Sequence, residues 1–446
     1  MADVLIVALA LLCTLLPFWL GARQGLLAFV SPMHLLGYFS ALGFLAKVVV
    51  YAAAPDLAFY AQFDPAPGAA LRGAIYLGGF IVLICLGYLL ACKRVPRAPR
   101  VIAVRGVAAG VRPMGALVGL ALLVSLVTLL VILRARGAGL GDPGVIAALN
   151  RSKQIAVNAA GVGATLAGIK TLFIVPKFAF VLCLAQCIVK PRPALIGLVL
   201  VLAGALAGIA LISGDRFELV ELAVSALATL ALLGGRLGWR SVAIGLMAAF
   251  GIVLLAGYMT QLRLGADGAD ILRQIVGSTY FLDVNVAVMV TGHLQPDQML
   301  LGQSYFWWVF GWVPREVWPD KPAIDLGVYF KREVMGVVTG GAFNVTGPGE
   351  AFINFGWGGL GVAPLLGWLF RKGEAFLLDP RHTARWGTAF LYPVLFYPFV
   401  QACLQSSFSA FVVAALVQIF LIMAVMALFF RPLRWKVLPG ERLQHV

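Results

Sequence analysis

The chain has 446 residues, of which 61% are hydrophobic and only 12% are charged. This composition excludes a soluble globular protein, because a soluble chain of this length needs a more charged exterior. The formal net charge of +15 is typical of a membrane protein with Lys- and Arg-rich cytoplasmic loops, so we expect a membrane partner and no nucleic acid.

Long apolar stretches follow one another from the N-terminus to residue 430. A membrane helix needs about twenty mostly apolar residues, and this criterion predicts about eleven transmembrane helices. They cover residues 2–20, 25–52, 69–92, 115–134, 168–189, 193–212, 217–234, 241–261, 351–370, 386–404 and 408–430. The predicted fold class is an all-α polytopic integral membrane protein, with residues 1–446 forming one membrane domain.

Basic residues cluster in the connections on one side of this arrangement, which the positive-inside rule assigns to the cytoplasm. They are Lys93, Arg94, Arg97, Arg100, Arg105, Arg112, Lys190, Arg192, Arg236, Arg240, Arg371, Lys372, Arg381, Arg385, Arg431, Arg434, Lys436 and Arg442. The other side carries a large periplasmic loop at 262–350, and loops of that length are usually functional. Apolar residues at 271–276 and 306–313 predict short helices of this loop on the membrane surface.

Three lysines fall inside predicted spans. Lys170 and Lys177 are seven residues apart and share a helix face. A charge at Lys177 is costly in hydrocarbon unless it faces a cavity or a partner, so Lys177 is a candidate substrate-binding residue. Lys170 is a second candidate, although it is also placed to snorkel to the interface, and Lys47 is expected to snorkel.

A charged cluster, Ser213-Gly-Asp215-Arg216-Phe-Glu218, opens the span at 217–234. A capping box accounts for Asp215 and Glu218, because carboxylates stabilise a helix N-terminus. It does not account for Arg216, since a cation is unfavourable at that end. Arg216 is therefore a candidate functional residue.

The large loop contains the segment Pro314-Arg315-Glu-Val-Trp318-Pro-Asp-Lys321-Pro. Tryptophans at the membrane–water interface are typical of the aromatic belt of a membrane protein. Aromatic rings beside paired charges also hold sugars and phosphates, so Arg315, Trp318 and Lys321 are candidates for substrate binding.

A Gly-Pro-Gly turn precedes the span at 351–370, in the run Thr346-Gly-Pro-Gly-Glu350-Ala-Phe-Ile-Asn354-Phe-Gly-Trp-Gly-Gly359. Glu350 is either an acidic residue that stabilises a helix N-terminus or a functional carboxylate. Asn354 lies one helical turn further along the same face and is a candidate substrate-binding residue.

These three runs, SGDR, PREVWPDKP and TGPGEAFINFGWGG, in this order resemble the bacterial O-antigen and oligosaccharide repeat-unit polymerases of the Wzy type. The resemblance implies a fold akin to the multispanning lipid-sugar glycosyltransferases and a place in the bacterial inner membrane with the active site facing the periplasm. It implies undecaprenyl-diphosphate-linked oligosaccharides as substrates, a chain-length regulator as a candidate partner, and neither a metal nor a cofactor.

The reaction that the resemblance implies transfers a growing glycan from its lipid diphosphate to the sugar end of a new lipid-linked unit. Cations at the membrane surface stabilise a departing diphosphate. The candidates are Arg216 and Arg315, as catalytic residues, and Lys321 and Lys177, as substrate-binding residues; Asp215 and Glu218 are further candidates for substrate binding. The accepting hydroxyl needs a general base, for which Glu350 is the first choice and Glu218 or Asp215 the second.

Two other functions stay open. An O-antigen ligase has a similar architecture, but related ligases often use a late periplasmic histidine, and residues 335–355 contain none. A transporter should show related halves and helices interrupted at the membrane midplane, and the sequence indicates neither.

The predicted topology is testable by cysteine labelling in intact spheroplasts with a membrane-impermeant reagent. We expect Asp297→Cys to be labelled and Arg381→Cys to be protected, because the loop charges assign these positions to opposite sides. The protein with its native cysteines alone measures the background. Labelling at 381 without labelling at 297 would contradict the orientation.

Overall fold

The computed structural model describes residues 2–92, 104, 114–135, 170–213, 217–234, 281–311, 313, 317–318, 324–337 and 343–429. All regular structure in these residues is helical, with no strand. The first helices are α1 (Ala2–Gln24), α2 (Pro32–Ala53), α3 (Ala69–Leu90), α4 (Met114–Ala135), α5 (Ile174–Val189), α6 (Pro193–Ser213) and α7 (Phe217–Leu232). The π-helical segment Ala41–Leu45 lies within α2, and the 3-10 segment Lys170–Phe173 precedes α5.

The later helices are shorter or interrupted, apart from the last one. They are α8 (Val284–His293), α9 (Gly347–Phe355), α10 (Val362–Leu377), α11 (Pro380–Trp386), α12 (Thr388–Gln405) and α13 (Phe408–Phe429). A 3-10 segment, Gly356–Gly361, joins α9 to α10 as one apolar stretch, and α11 meets α12 at a bend of 90°. Smaller 3-10, α and π segments are Pro55–Leu57, Phe59–Phe63, Pro296–Gln298, Gln303–Phe310, Leu326–Tyr329 and Phe330–Val334.

The described part of the chain contains eight helices long and apolar enough to cross a membrane, or nine if the bent pair of α11 and α12 is one span. The chain is thus an all-α polytopic membrane protein, as the sequence predicts. The predicted span at 217–234 is a helix of 16 residues, and the one at 241–261 lies outside the described residues. The number of eleven therefore stays a prediction.

Helix α3 lies at the centre of the packing, with Tyr76, Phe80 and Ile84 fully buried. Two of its glycines allow close approach of neighbouring backbones. A Cβ atom on Gly87 would lie 2.0 Å from the carbonyl oxygen of Pro364 in α10, and one on Gly73 would lie 2.6 Å from the Cα of Val288 in α8. Small residues are what membrane helices need at such contacts.

Helix α8 shows that part of the predicted large loop belongs to the packed interior. Its residues Val284 to Val290 are all buried. Asp283 caps its N-terminus by accepting a hydrogen bond from the Asn285 amide at 2.8 Å. The segment Gln303–Phe310, which overlaps the stretch 306–313 predicted to form a surface helix, is a 3-10 helix with Phe306 and Val309 exposed; the other such stretch, 271–276, lies outside the described residues.

A buried ion pair joins α2 to this N-terminus. The Lys47 ammonium contacts the Asp283 carboxylate, and the two residues are 4% and 0% exposed. The expectation that Lys47 snorkels to the interface is wrong, because its charge is compensated inside the protein.

A second buried cluster holds the end of α10. Arg371 pairs with Glu374 at 3.2 Å and donates to the Gln24 carbonyl at 2.7 Å, while Glu374 accepts from the Leu26 amide and the Tyr88 hydroxyl. Arg371 is thus not in a connection, since α10 continues past the predicted end at residue 370 to Leu377.

The helix ends that contact one another form two groups. In each group, all the helix ends are predicted from the sequence to lie on the same side of the membrane. The end of α1 meets the ends of α3 and α10 through Arg371 and Glu374. The starts of α9 and α13 meet each other through Glu350 and Phe408. The sequence assigns the first group to the cytoplasmic side and the second to the periplasmic side. Which group faces the cytoplasm stays a prediction from the loop charges.

We expect Lys47→Met to lower the free energy of unfolding by about 3–5 kcal/mol, because it leaves the Asp283 carboxylate charged in an apolar interior. The double variant Lys47→Met/Asp283→Asn should recover part of this loss, since no buried charge then lacks its counterion. Unfolding in mixed micelles by increasing denaturing detergent measures both.

The matched control is Arg332→Met, which removes the exposed ion pair between Arg332 and Glu333. Exposed pairs contribute about 0–1 kcal/mol. A Lys47→Met effect no larger than this control would contradict the importance of the buried pair.

Candidate functional site

The turn before Glu350 is shaped by close packing against α12. Thr346 has a φ of 62°, and its Oγ1 accepts a hydrogen bond from the Gly349 amide at 3.3 Å, which caps α9. A Cβ on Gly347 would lie 1.8 Å from the Cys403 carbonyl oxygen. Only glycine fits there, and the contact fixes the start of α9 against the end of α12.

Glu350 follows in the first turn of α9 and is 2% exposed. Its Oε1 accepts a hydrogen bond from the Ser304 hydroxyl at 2.8 Å, and its Oε2 accepts one from the Phe408 amide at 2.7 Å. Because Phe408 is the first residue of α13, the carboxylate lies at the N-termini of two helices. Both positive helix ends favour its negative charge.

Asn354 completes this arrangement. Its Nδ2 donates to the Ser304 hydroxyl at 2.7 Å and to the Glu350 carbonyl at 2.8 Å, and its Oδ1 accepts from the Gly302 amide at 3.0 Å. Ser409 donates from its hydroxyl to the Ser304 carbonyl. We call Ser304, Glu350, Asn354 and the Phe408 amide the Glu350 network. It ties the segment at Gln303–Phe310 to α9 and α13.

This geometry bears on both interpretations of Glu350. Its contacts are those of a residue that holds three segments together. A general base must also come within hydrogen-bond reach of a substrate hydroxyl, and at 2% exposure the carboxylate is reached only after a neighbouring segment moves. The catalytic role stays a prediction, and the anchoring role is visible in the hydrogen bonds.

Three residues beside the Glu350 network were not singled out from the sequence. Gln401 and Gln405 lie one turn apart on α12, and Ser407 immediately precedes Phe408. The Oε1 atoms of both glutamines and the Ser407 Oγ are buried and have no hydrogen-bond partner among the described residues. The signal in the sequence that could have identified them is a pair of glutamines four residues apart at the end of an apolar span.

Lys177 and Glu221 form an ion pair between α5 and α7, with side chains 13% and 17% exposed. The sequence identified Lys177 as a cation that needs a partner or a cavity, and the partner is Glu221. Since its charge is compensated within the protein, the structure offers a structural explanation for Lys177 next to the substrate-binding one.

The remaining predicted site residues are less informative. Trp318 is 40% exposed, and its ring centroid lies 5.6 Å from that of Phe310. Lys170 lies in the 3-10 segment before α5, and Glu218 lies in α7. For these two residues the structure describes the backbone and not the side chain. Four predicted residues are outside the described residues altogether: Asp215, Arg216, Arg315 and Lys321.

A separate cavity of about 290 Å³ lies between α1, α2, α3 and α8. Its polar lining comes from Asp3, Tyr51 and Tyr60. The Tyr51 hydroxyl donates to Asn285 Oδ1 at 2.9 Å, beside the buried pair of Lys47 and Asp283. The cavity shares no lining residue with the Glu350 network.

The described residues contain no group of three His, Cys, Asp or Glu side chains placed to hold a metal ion. Comparison with protein-family models, with curated proteins and with solved structures finds no match for this chain. The assignment of a function therefore depends on the residues and their geometry.

The two interpretations of Glu350 separate under conservative substitution. Glu350→Gln keeps the shape but loses one of two hydrogen bonds to a buried carboxylate, so we expect a loss of stability of about 1–3 kcal/mol. If Glu350 is the base, this variant makes no glycan polymer in a complemented deletion strain, because an amide cannot take up the proton.

Ser304→Ala is the matched control, since it removes a hydrogen bond from the same carboxylate without removing the carboxylate. We expect a similar loss of stability and retained polymer. If both variants made polymer in proportion to the amount of folded protein, the role of Glu350 would be structural and not catalytic.

Proposed function

We propose that this protein polymerises undecaprenyl-diphosphate-linked oligosaccharide repeat units at the periplasmic face of the bacterial inner membrane. It is then a metal-independent membrane glycosyltransferase that makes an O-antigen or another polysaccharide. The observation that carries the proposal is the buried carboxylate of Glu350, within the run Thr346–Gly359, where the helix starts of α9 and α13 meet. The three sequence runs that resemble the polymerases, and the all-α membrane architecture, support it.

The proposed reaction requires a defined movement of electrons. The hydroxyl oxygen of the incoming lipid-linked unit attacks the anomeric carbon of the growing glycan and forms the new glycosidic bond. The bond between that carbon and the diphosphate oxygen breaks, and the lipid diphosphate leaves with the electron pair. Glu350 takes the hydroxyl proton in this scheme, as a positioned general base.

The departing diphosphate needs cations because its negative charge grows in the transition state. Arg216 and Arg315 are assigned this role, since a guanidinium binds phosphate oxygens through two parallel hydrogen bonds. Lys321 and Lys170 are assigned to the surrounding surface, and Trp318 to the sugar. Lys177 is a weaker candidate, because its charge already pairs with Glu221.

A specific observation favours a second candidate, a transporter of glycans or lipids. Transporters often have discontinuous helices at the substrate site, and the structure has interruptions at Gly356–Gly361 and at the bend between α11 and α12. The sequence did not indicate such interruptions.

The purified protein in liposomes with lipid-linked oligosaccharide distinguishes the two functions. A polymerase lengthens the glycan. A transporter moves the unit across the bilayer without changing its length.

The arginine roles predict a graded effect on the polymer. We expect Arg216→Ala and Arg315→Ala each to reduce polymer yield by about tenfold or more, because each removes a charge-assisted contact to the leaving group. Arg216→Lys should also be impaired, since a point charge lacks the bidentate geometry. Polymer length and yield are read from glycan gels of a complemented deletion strain.

Arg332→Ala is the control for a basic residue outside the proposed site, and normal polymer is expected from it. Normal length and yield from Arg216→Ala, with equal protein in the membrane, would contradict the assignment.

A further inference from the structure

The residues that join α12 to α13 carry an unusual set of atoms. Gln401 Oε1, Gln405 Oε1 and Ser407 Oγ are the buried side-chain polar atoms of the described chain that have no hydrogen-bond partner. Gln405 and Ser407 are 5% and 3% exposed, and Gln401 is partly exposed. We call these three atoms the acceptor triad.

Buried polar groups in native proteins nearly always have partners, and an orphaned acceptor is destabilising. The neighbouring polar atoms follow this rule, because Glu350, Asn354, Ser304 and Ser409 are all hydrogen-bonded. Three exceptions within seven residues of sequence, 401–407, indicate that another molecule pairs with these atoms, either a structural water or a ligand.

The acceptor triad lies directly beside the Glu350 network. Ser407 is joined by one peptide bond to Phe408, whose amide donates to Glu350 Oε2. Gln401 and Gln405 share a face of α12, since residues four apart on a helix are neighbours. Gln401 is partly exposed, whereas Gln405 and Ser407 are buried, so exposure falls from Gln401 to the two residues nearest Phe408 in the chain.

The chemistry of the triad selects its ligand. All three are neutral polar atoms: the two amide oxygens accept hydrogen bonds and the Ser407 hydroxyl both accepts and donates, so the ligand must donate at least two hydrogen bonds. A lipid tail has no donor. Sites for Mg²⁺ or Ca²⁺ usually include carboxylate ligands, and the triad contains none. A neutral ligand with several hydroxyl groups satisfies each acceptor, and a sugar is such a ligand.

We propose that Gln401, Gln405 and Ser407 bind hydroxyl groups of the sugar that accepts the growing chain and orient it toward Glu350. This inference rests on the proposed function. A site built to hydrogen-bond a hydroxyl discriminates strongly against substrates that lack it. The triad is thus a determinant of which repeat unit is extended.

The test compares Gln405→Leu and Ser407→Ala with two matched controls, Gln418→Leu in α13 and Ser406→Ala next to the triad. The wild-type protein, the variants and an empty vector are expressed in the deletion strain. Polymer is measured on glycan gels and the melting temperature on purified full-length protein. A third measurement is the shift in melting temperature on adding the lipid-linked oligosaccharide fraction extracted from the deletion strain.

We expect both triad variants to reduce polymer by about tenfold or more, because each loses a hydrogen bond that helps to bind and orient the sugar. Their melting temperatures without ligand should equal or exceed that of the wild type, because an unsatisfied buried acceptor has been removed. The stabilising shift caused by the lipid-linked oligosaccharide should be lost in the variants and retained in the controls.

Two results would overturn the acceptor triad as a sugar site. One is wild-type polymer from both triad variants while the empty vector gives none, which leaves the proposed function intact. The other is a clearly lowered melting temperature in both variants, which would show that the atoms are paired through structural water.

Failure of the proposed function has a different signature, namely normal polymer from the empty vector. In that case only the ligand-induced shift in melting temperature tests the triad as a sugar site. A shift in the wild type that Gln405→Leu abolishes supports a sugar site in a protein of another activity, and no shift in the wild type refutes it.

Discussion

Each polar group that this chain places among its helices must find a partner inside the protein, because hydrocarbon offers no hydrogen bonds. The buried carboxylates of the described residues show how this constraint is met. Asp283, Glu350 and Glu374 each accept a hydrogen bond from a backbone amide, those of Asn285, Phe408 and Leu26. Each also contacts a side-chain donor, from Lys47, Ser304 and Tyr88 respectively. The helix ends are therefore fixed to one another at these carboxylates.

The proposed role of Glu350 as a general base adds a second requirement to its structural one. Its hydrogen bonds to Ser304 and Phe408 hold the starts of α9 and α13 in place. A catalytic base must also be approachable by the substrate. The two roles are compatible if substrate binding moves the segment at Gln303–Phe310, which covers the carboxylate through Ser304 and has exposed apolar residues on its other face.

The acceptor triad is informative because the polar groups around it are satisfied. In a loosely packed interior, a few unpaired oxygens would mean little. Beside the Glu350 network, where Asn354 alone makes three side-chain hydrogen bonds, unpaired buried acceptors are exceptional, and the proposed sugar site is based on this contrast. The tight contact of Gly347 with the Cys403 carbonyl fixes the end of α12, which contains Gln405, against the start of α9, which contains Glu350.

The sequence by itself determined the fold class and most of the spans, because about twenty consecutive apolar residues have few stable environments other than a bilayer. It also identified Glu350 as the carboxylate at a helix start and Lys177 as a charge that requires a partner. These properties depend on residues close together in the chain, so hydropathy and local capping chemistry are sufficient to find them.

Only the tertiary structure decided which distant residues meet. Lys47 contacts Asp283, and Lys177 contacts Glu221. The Glu350 carboxylate, in the first turn of α9, accepts a hydrogen bond from the first amide of α13. The tertiary structure also revealed that α8, within the predicted loop, is buried, and that Gln405 Oε1 and Ser407 Oγ have no hydrogen-bond partner among the described residues. No local pattern carries this information, because pairing and burial depend on how helices far apart in sequence pack against one another.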